Sequence, residues 1–379
     1  MRPSIFYFTN IAPHYRQEIW TKLIKDTSWK YTIVCGNSRS TNTIKSIDFE
    51  TVGIEKRILQ VRNLYFGKVI IWQVGAIYLA LTRKMDIAIL LGDMHILSNW
   101  LIAIICKIRK VKVLYWGHGF SGDERFFKKK LRVLFNRLAD EHFLYGNRAR
   151  SIMSALNFES KSLHVVYNSL LYDKQRNLRS CALEEPKMEI MHFFKKPNLP
   201  VITFIGRLTP IKKIDMFLSA VRELNSSKVI YNCLIIGDGS ELGSLKNEFL
   251  NDKSRDFLHF YGSSYDEAEN ARLLTHSDLC VSPGNIGLTA IHAMTYGTPC
   301  ATHDNLFKQM PEFEAILEGQ TGFFFLDNSE EHLITCISNW FNQNLYNREN
   351  IRQDCYNMID NLYNPNRQLE IFKTVLLGI

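Results

Sequence analysis

At 379 residues the chain exceeds the roughly 250–300 at which one hydrophobic core stops growing, so two domains are expected. Hydrophobic residues make 46% and charged residues 22%, which excludes a disordered or fibrous chain. The net charge of +8 is uneven: residues 1–190 carry 30 Lys and Arg against 16 Asp and Glu, and the remainder 16 against 22. A basic first half points to an anionic partner.

In chain order, the apolar opening Ser4–Thr9 is too short for a secretory signal and reads as a first strand. A helix near 13–25 and a strand at 31–35 follow, then a strand at Ile87–Leu91, a helix from His95 and a strand at 112–116. Residues 125–137 read as a basic helix with Phe127, Leu131, Leu134 and Phe135 on one stripe. That stripe suits either the domain core, with Lys128, Lys129 and Lys130 as a solvated back, or an anionic lipid surface. Strands at 142–145 and 163–167 complete the first series. Residues 173–200, with mixed charge and Pro186, Pro197 and Pro200, read as irregular.

A second series of alternating strands and helices runs from Val201–Ile205 to a strand at 322–326, and the segment from 347 reads as helix. Such alternation predicts parallel sheets with helices on both faces. The expected fold class is α/β, with two doubly wound Rossmann-like domains. Their expected bounds are 1–180, a linker at 181–200, and 201–361, with a terminal helix at 362–379 packing back on the first domain. The longest apolar stretches free of Asp, Glu, Lys and Arg, 69–82 and 94–106, fall short of the ~20 residues that span a bilayer. Eight cysteines with no Cys-x-x-Cys spacing argue for reduced thiols in a cytosolic compartment, and no Cys/His grouping has zinc-site spacing. No nucleic-acid recognition module appears, so nucleic acid is not an expected partner.

The chemistry-bearing junctions lie in the second series. Gly206-Arg207-Leu208 ends a strand and Lys212 follows, giving an arginine fork and a lysine point charge suited to a diphosphate. Gly237-Asp238-Gly239-Ser240-Glu241 and Tyr261-Gly262-Ser263 are glycine turns after strands. Neither is the Gly-x-Gly-x-x-Gly dinucleotide fingerprint. The segment Ser282-Pro283-Gly284-Asn285-Ile286-Gly287-Leu288-Thr289 opens a helix carrying His292 and ending at Tyr296-Gly297. The free amides of its first turn form an anion site.

This ordered set, with Pro311-Glu312-Phe313-Glu314 after it, resembles the nucleotide-sugar domain of retaining family 4 glycosyltransferases of the GT-B fold, over about 200–326. Trp116-Gly117-His118-Gly119 extends the likeness into the first half. The resemblance implies two domains facing each other across a cleft. It implies a nucleotide-diphosphate sugar, UDP- or GDP-linked, as co-substrate, with transfer to a hydroxyl of a glycan. Arg207, Lys212 and the Gly287, Leu288 and Thr289 amides would hold the diphosphate. His118, Gly284, Asn285 and Ile286 would meet the donor sugar, with His118, Arg207 and Lys212 as the catalytic set. Gly239, Ser263, His292 and Glu314 would meet the ribose or base.

The family has glutamates where this chain has Gly284 and His292. The helix start at His14, Tyr15 and Arg16 replaces the family's glycine-rich first loop and is the expected acceptor-phosphate contact. No Asp-x-Asp occurs, so neither metal nor cofactor is expected: Arg207, Lys212 and the helix amides can stabilise the leaving group. The basic first half suits a lipid-linked acceptor at the inner face of a membrane, as in capsule or O-antigen assembly. The competing readings are a catalytically silent GT-B protein, which binds a glycan or partners a true transferase, and a nucleotide-sugar epimerase or hydrolase.

Overall fold

The computed structural model describes residues 2–37, 46–67, 69–250, 253–344 and 347–378. It divides into two compact units, Met1–Leu171 with Asn364–Ile379, and Tyr172–Tyr363.

The first unit runs β1 (Ser4–Thr9), α1 (Gln17–Lys25), β2 (Lys30–Gly36), α2 (Phe49–Val52), β3 (Ile58–Phe66), β4 (Ile70–Val74), α3 (Ala76–Thr82) and β5 (Ile87–Leu91). It continues through α4 (Leu97–Ile108), β6 (Lys112–Gly117), α5 (Phe126–Asn136), β7 (Glu141–Leu144), α6 (Asn147–Ala155) and β8 (Leu163–Val165). Its eight-stranded sheet has the order β4-β3-β2-β1-β5-β6-β7-β8, parallel except for the edge pair β3–β4. The strands at its centre are apolar on both faces because helices cover both. On one face Tyr7, Trp20, Ile33, Leu114 and Trp116 form a core. On the other, Phe8, Leu90, Val113 and Tyr115 meet Ala80 of α3, Ile102 and Cys106 of α4 and Phe135 of α5.

The stripe expected along α5 is split by the fold. Phe135 is fully buried, but Phe127, Leu131 and Leu134 face outward, Phe127 at 83% exposure. Arg132 fixes the rotation: it turns inward, donating to the Glu124 carboxylate at 2.6 Å and sitting over the Phe120 ring.

The second unit runs α7 (Tyr172–Glu184), α8 (Lys187–Ile190), β9 (Val201–Ile205), α9 (Ile214–Leu224), β10 (Asn232–Ile236), α10 (Leu242–Phe249) and β11 (Leu258–Gly262). Then come α11 (Glu267–Thr275), β12 (Leu279–Ser282), α12 (Leu288–Thr295), β13 (Cys300–His303), β14 (Gly322–Phe325), α13 (Glu330–Asn344) and α14 (Arg348–Asn361). The six strands, all parallel, take the order β11-β10-β9-β12-β13-β14. Successive strands are therefore added outward in opposite directions from β9 and β12, the switch point at which open α/β sheets hold ligands.

Residues 173–184 are helical rather than irregular. The helix α7 belongs to the second unit and buries Tyr172, Gln175, Arg179 and Ala182. Arg179 donates to the Thr295 carbonyl at 2.6 Å and to Asp360 at 2.9 Å. Pro186 caps α8 instead of ending structure. The chain then returns to the first unit as α15 (Pro365–Leu377), where Phe372 lies 4.1 Å from the Phe143 ring and 5.0 Å from Trp116.

Candidate functional site

In the second unit, the loops after β9, β10 and β12 converge at the switch point by direct backbone contact. A Cβ on Gly237 would stand 1.9 Å from the Gly206 carbonyl oxygen, and one on Gly284 would stand 2.0 Å from that of Ile211. Only glycine lets these loops lie so close. The Gly284 amide donates to the Lys212 carbonyl at 3.1 Å. The Lys212 ammonium in turn donates to the Asn285 backbone carbonyl and, at 2.8 Å, to Asn285 Oδ1.

Lys212 is the electrostatic centre of this arrangement. Burial and the neighbouring Arg207 cation push its pKa down to about 8, against the opposing pull of Cys280 and Glu312. Two cations so close, one of them partly desolvated, favour an anion between them. Arg207 is exposed. The helix α12 begins beside them at Leu288, and its N-cap, Gly287, supplies no side-chain cap. The first-turn amides of Leu288 and Thr289 therefore face the same locality. The Thr289 hydroxyl is already used, donating to the Ile205 carbonyl at 3.1 Å.

Gln309 was not legible in the sequence, yet it shapes this loop. Its Oε1 accepts from the Ile286 amide at 3.0 Å, while Nε2 donates to Thr302 Oγ1 at 2.8 Å and to the His303 carbonyl at 3.1 Å. No motif surrounds it, and only the three-dimensional bridge gives it away.

Several expected contacts are redirected. Gly284 is buried against residues 211–212, so it presents no face to a sugar, and a glutamate there would collide with backbone. Ile286 is 1% exposed and its amide is committed to Gln309. Asn285 is engaged by Lys212. His292 does not offer its Nε2 to a ribose, because that nitrogen lies 2.8 Å from Glu267 Oε1. The same oxygen accepts from Tyr296 at 2.7 Å and Gln175 at 2.9 Å. Burial would raise the Glu267 pKa, but His292, Tyr296 and Gln175 outweigh it and hold the carboxyl down at about 2. Gly239 lies against the Leu208 carbonyl, Ser263 is exposed just past β11, and Glu314 is half-buried in the turn Pro311–Ala315.

In the first unit the corresponding switch point lies between β1 and β5. Arg16, expected to reach an acceptor phosphate, is instead buried: its guanidinium stacks over Trp116 at 4.8 Å and donates to the Tyr145 hydroxyl. His14 remains exposed and Tyr15 half-exposed. His118 follows β6 with an exposed edge, its ring 4.8 Å from Tyr145. The protein packed around it and the Arg16 charge push its pKa down to about 4, so the imidazole is neutral at pH 7. Asp93 and His95, in Gly92-Asp93-Met94-His95 after β5, are joined at 2.7 Å; their place at a strand end is the only mark they leave in the sequence. A cavity of about 630 Å³ opens beside the end of β2 and the first half of β3, with Asp48, Glu50, Glu55 and Gln60 in its wall.

Among the described residues, no group of three or more His, Cys, Asp and Glu side chains gathers as metal ligands. None of the described helices is long and apolar enough to cross a membrane.

Residues 188–358, within the second unit, match the family model described as Glycosyl transferases group 1. The chain is 30% identical over 153 residues to glycogen synthase 2 of Nitrosococcus oceani, a match covering 37% of this chain and 30% of that protein. It thus spans about a third of that relative's length. Two solved structures are similar over the full chain: Anabaena Alr3699/HepE in complex with UDP, at 14% identity, TM-score 0.70 and full coverage of both chains, and the lipopolysaccharide outer core galactosyltransferase WaaB in its apo form, at 15% identity and TM-score 0.67, covering 99% of this chain and 100% of that one. The fold is GT-B.

Proposed function

We propose that the protein is a family 4 glycosyltransferase that moves a hexosyl unit, with retention, from a nucleotide-diphosphate sugar to a hydroxyl of a lipid-linked glycan. The carrying observation is the convergence of Arg207, Lys212 and the α12 amides at the β9/β12 switch point. Fixed cations and amides placed where the leaving diphosphate gathers charge stabilise it without reorganisation, so no metal is needed. The neutral His118 can hydrogen-bond the donor sugar without adding charge. A UDP-linked donor is the first choice because Anabaena HepE is described with UDP. The basic first half suits an acceptor at the inner face of a membrane during surface-polysaccharide synthesis.

The test is a thermal-shift panel of UDP, GDP, CMP and dTDP on the wild type and Arg207→Ala, without added metal. A ligand that binds only the native state raises the midpoint as its concentration exceeds its dissociation constant. UDP should stabilise the wild type and fail on the variant; if no nucleotide shifts the wild type, the donor reading falls. The buried Gly284, where the resemblance implies a glutamate, favours a second reading, a catalytically silent GT-B protein. It would show the nucleotide shift with no transfer to any acceptor. An epimerase or hydrolase would turn over the donor alone.

A further inference from the structure

The helix layer formed by α3, α4 and α5 is apolar on its outer side as well as its inner one. In α4, Ile102, Ala103 and Cys106 are fully buried against the sheet, while Leu97, Leu101, Ile104 and Ile108 recur at i, i+4, i+7 and i+11 and face outward, Ile108 at 77% exposure. The flanking helices add Tyr78 and Phe127, 67% and 83% exposed. The three helices cover the same face of the sheet, and the Trp100 and Phe135 rings, 4.9 Å apart, join α4 to α5. Their outer stripes therefore lie side by side. Every large apolar side chain exposed in the first unit, among the described residues, falls between 66 and 134. A continuous apolar patch of this kind marks an interaction surface.

Charge selects the partner. The three helices contain no Asp or Glu, and they carry Lys128, Lys129 and Lys130 on α5 together with Lys107 of α4, which pairs with Asp140 at 3.1 Å. A second copy of the chain docked on this face would set these cations against one another, which disfavours it. An anionic lipid surface satisfies both components. Apolar side chains enter the headgroup–acyl boundary, and lysines meet the headgroup charges. We propose that the α3–α4–α5 layer is the surface by which the protein docks on anionic lipid, with α4 entering the boundary. This rests on the reading of a lipid-linked acceptor and gives that reading a place on the molecule.

The experiment is co-sedimentation of the full chain with vesicles of phosphatidylcholine alone and of phosphatidylcholine mixed equally with phosphatidylglycerol. The variant is Leu101→Ser/Ile104→Ser/Ile108→Ser, three outward-facing changes that leave the core intact. The wild type should bind the mixed vesicles and ignore the neutral ones. The variant should lose at least about tenfold in partition, as expected for three apolar side chains withdrawn from burial. Variant binding equal to wild type, or wild type indifferent to the anionic vesicles, overturns the proposal. So does sedimentation equilibrium that finds a wild-type dimer and a monomeric variant, since the face would then join two copies. The UDP thermal shift on the same samples separates the two readings. A normal shift without vesicle binding sinks the docking surface alone, and vesicle binding without any nucleotide shift sinks the donor reading alone.

Discussion

Replacing Gly284 with alanine tests the packed loops of the second unit most directly. The new Cβ would stand 2.0 Å from the Ile211 carbonyl oxygen and 2.8 Å from Lys212 Cα. Ordinary contact begins near 3.4 Å, so the loops must part by more than an ångström. Both obstructing atoms are backbone and cannot rotate aside. Parting the loops breaks the Gly284–Lys212 bond of 3.1 Å and loosens the hold of Lys212 on Asn285. Overpacking of this kind costs about 1–3 kcal/mol, and two hydrogen bonds add about 1 kcal/mol each. At about 2–4 °C per kcal/mol for a unit of this size, the midpoint of its transition should fall by roughly 10 °C. Calorimetry reads that fall, and titration with UDP should show the affinity dropping with it because Lys212 has moved. Gly243→Ala is the control: no atom lies within 4 Å of its Cβ, and in the helix α10 alanine should be neutral or stabilising by up to about 1 kcal/mol. If Gly284→Ala melts within a degree of wild type and binds UDP equally well, the loops are not held as described and the explanation for the missing glutamate is wrong.

Nucleotide affinity should also depend on pH through Lys212. Its pKa of about 8 means that the charged form is lost as pH rises through 8. UDP binding by calorimetry should therefore weaken between pH 7 and pH 9, and Lys212→Arg should flatten the dependence. Glu267 acts at the acid end. Its folded pKa of about 2 lies below the ordinary glutamate value of 4.5, so its stabilisation is complete above about 4.5 and disappears as pH falls towards 2. Glu267→Gln should lower stability at pH 7 by about 1–3 kcal/mol and remove that part of the acid sensitivity in urea melts.

What the sequence disclosed follows from how each segment is buried. The strands of the second unit were legible because apolar runs such as Val201–Ile205 end in glycine and loop residues. The helix α7 was not, since two of the four residues it buries are Gln175 and Arg179, whose partners lie on α11, α12 and α14. Periodicity in hydrophobicity cannot register a buried polar face. The α5 stripe was visible as a pattern, but which side met the sheet depended on Arg132 finding Glu124. The same limit applied to Arg16: a cation at a helix start reads as available until Trp116 and Tyr145 are seen to enclose it. The glycine loops after β9, β10 and β12 pointed to the candidate site, yet whether each side chain there was spent or open was settled by neighbours distant in sequence, Gln309 and Glu267 among them.

The return of α15 bears on how the chain comes into being. Phe372 and Leu376 belong to the core built on Trp116 and Phe143, and Lys373 pairs with Asp26 at 2.7 Å. During synthesis the whole second unit, contiguous from 172 to 363, is made before the last helix of the first unit. A ribosome stalled before residue 364 would therefore carry a first unit with its aromatic core uncovered, a state in which a nascent chain is open to chaperone capture.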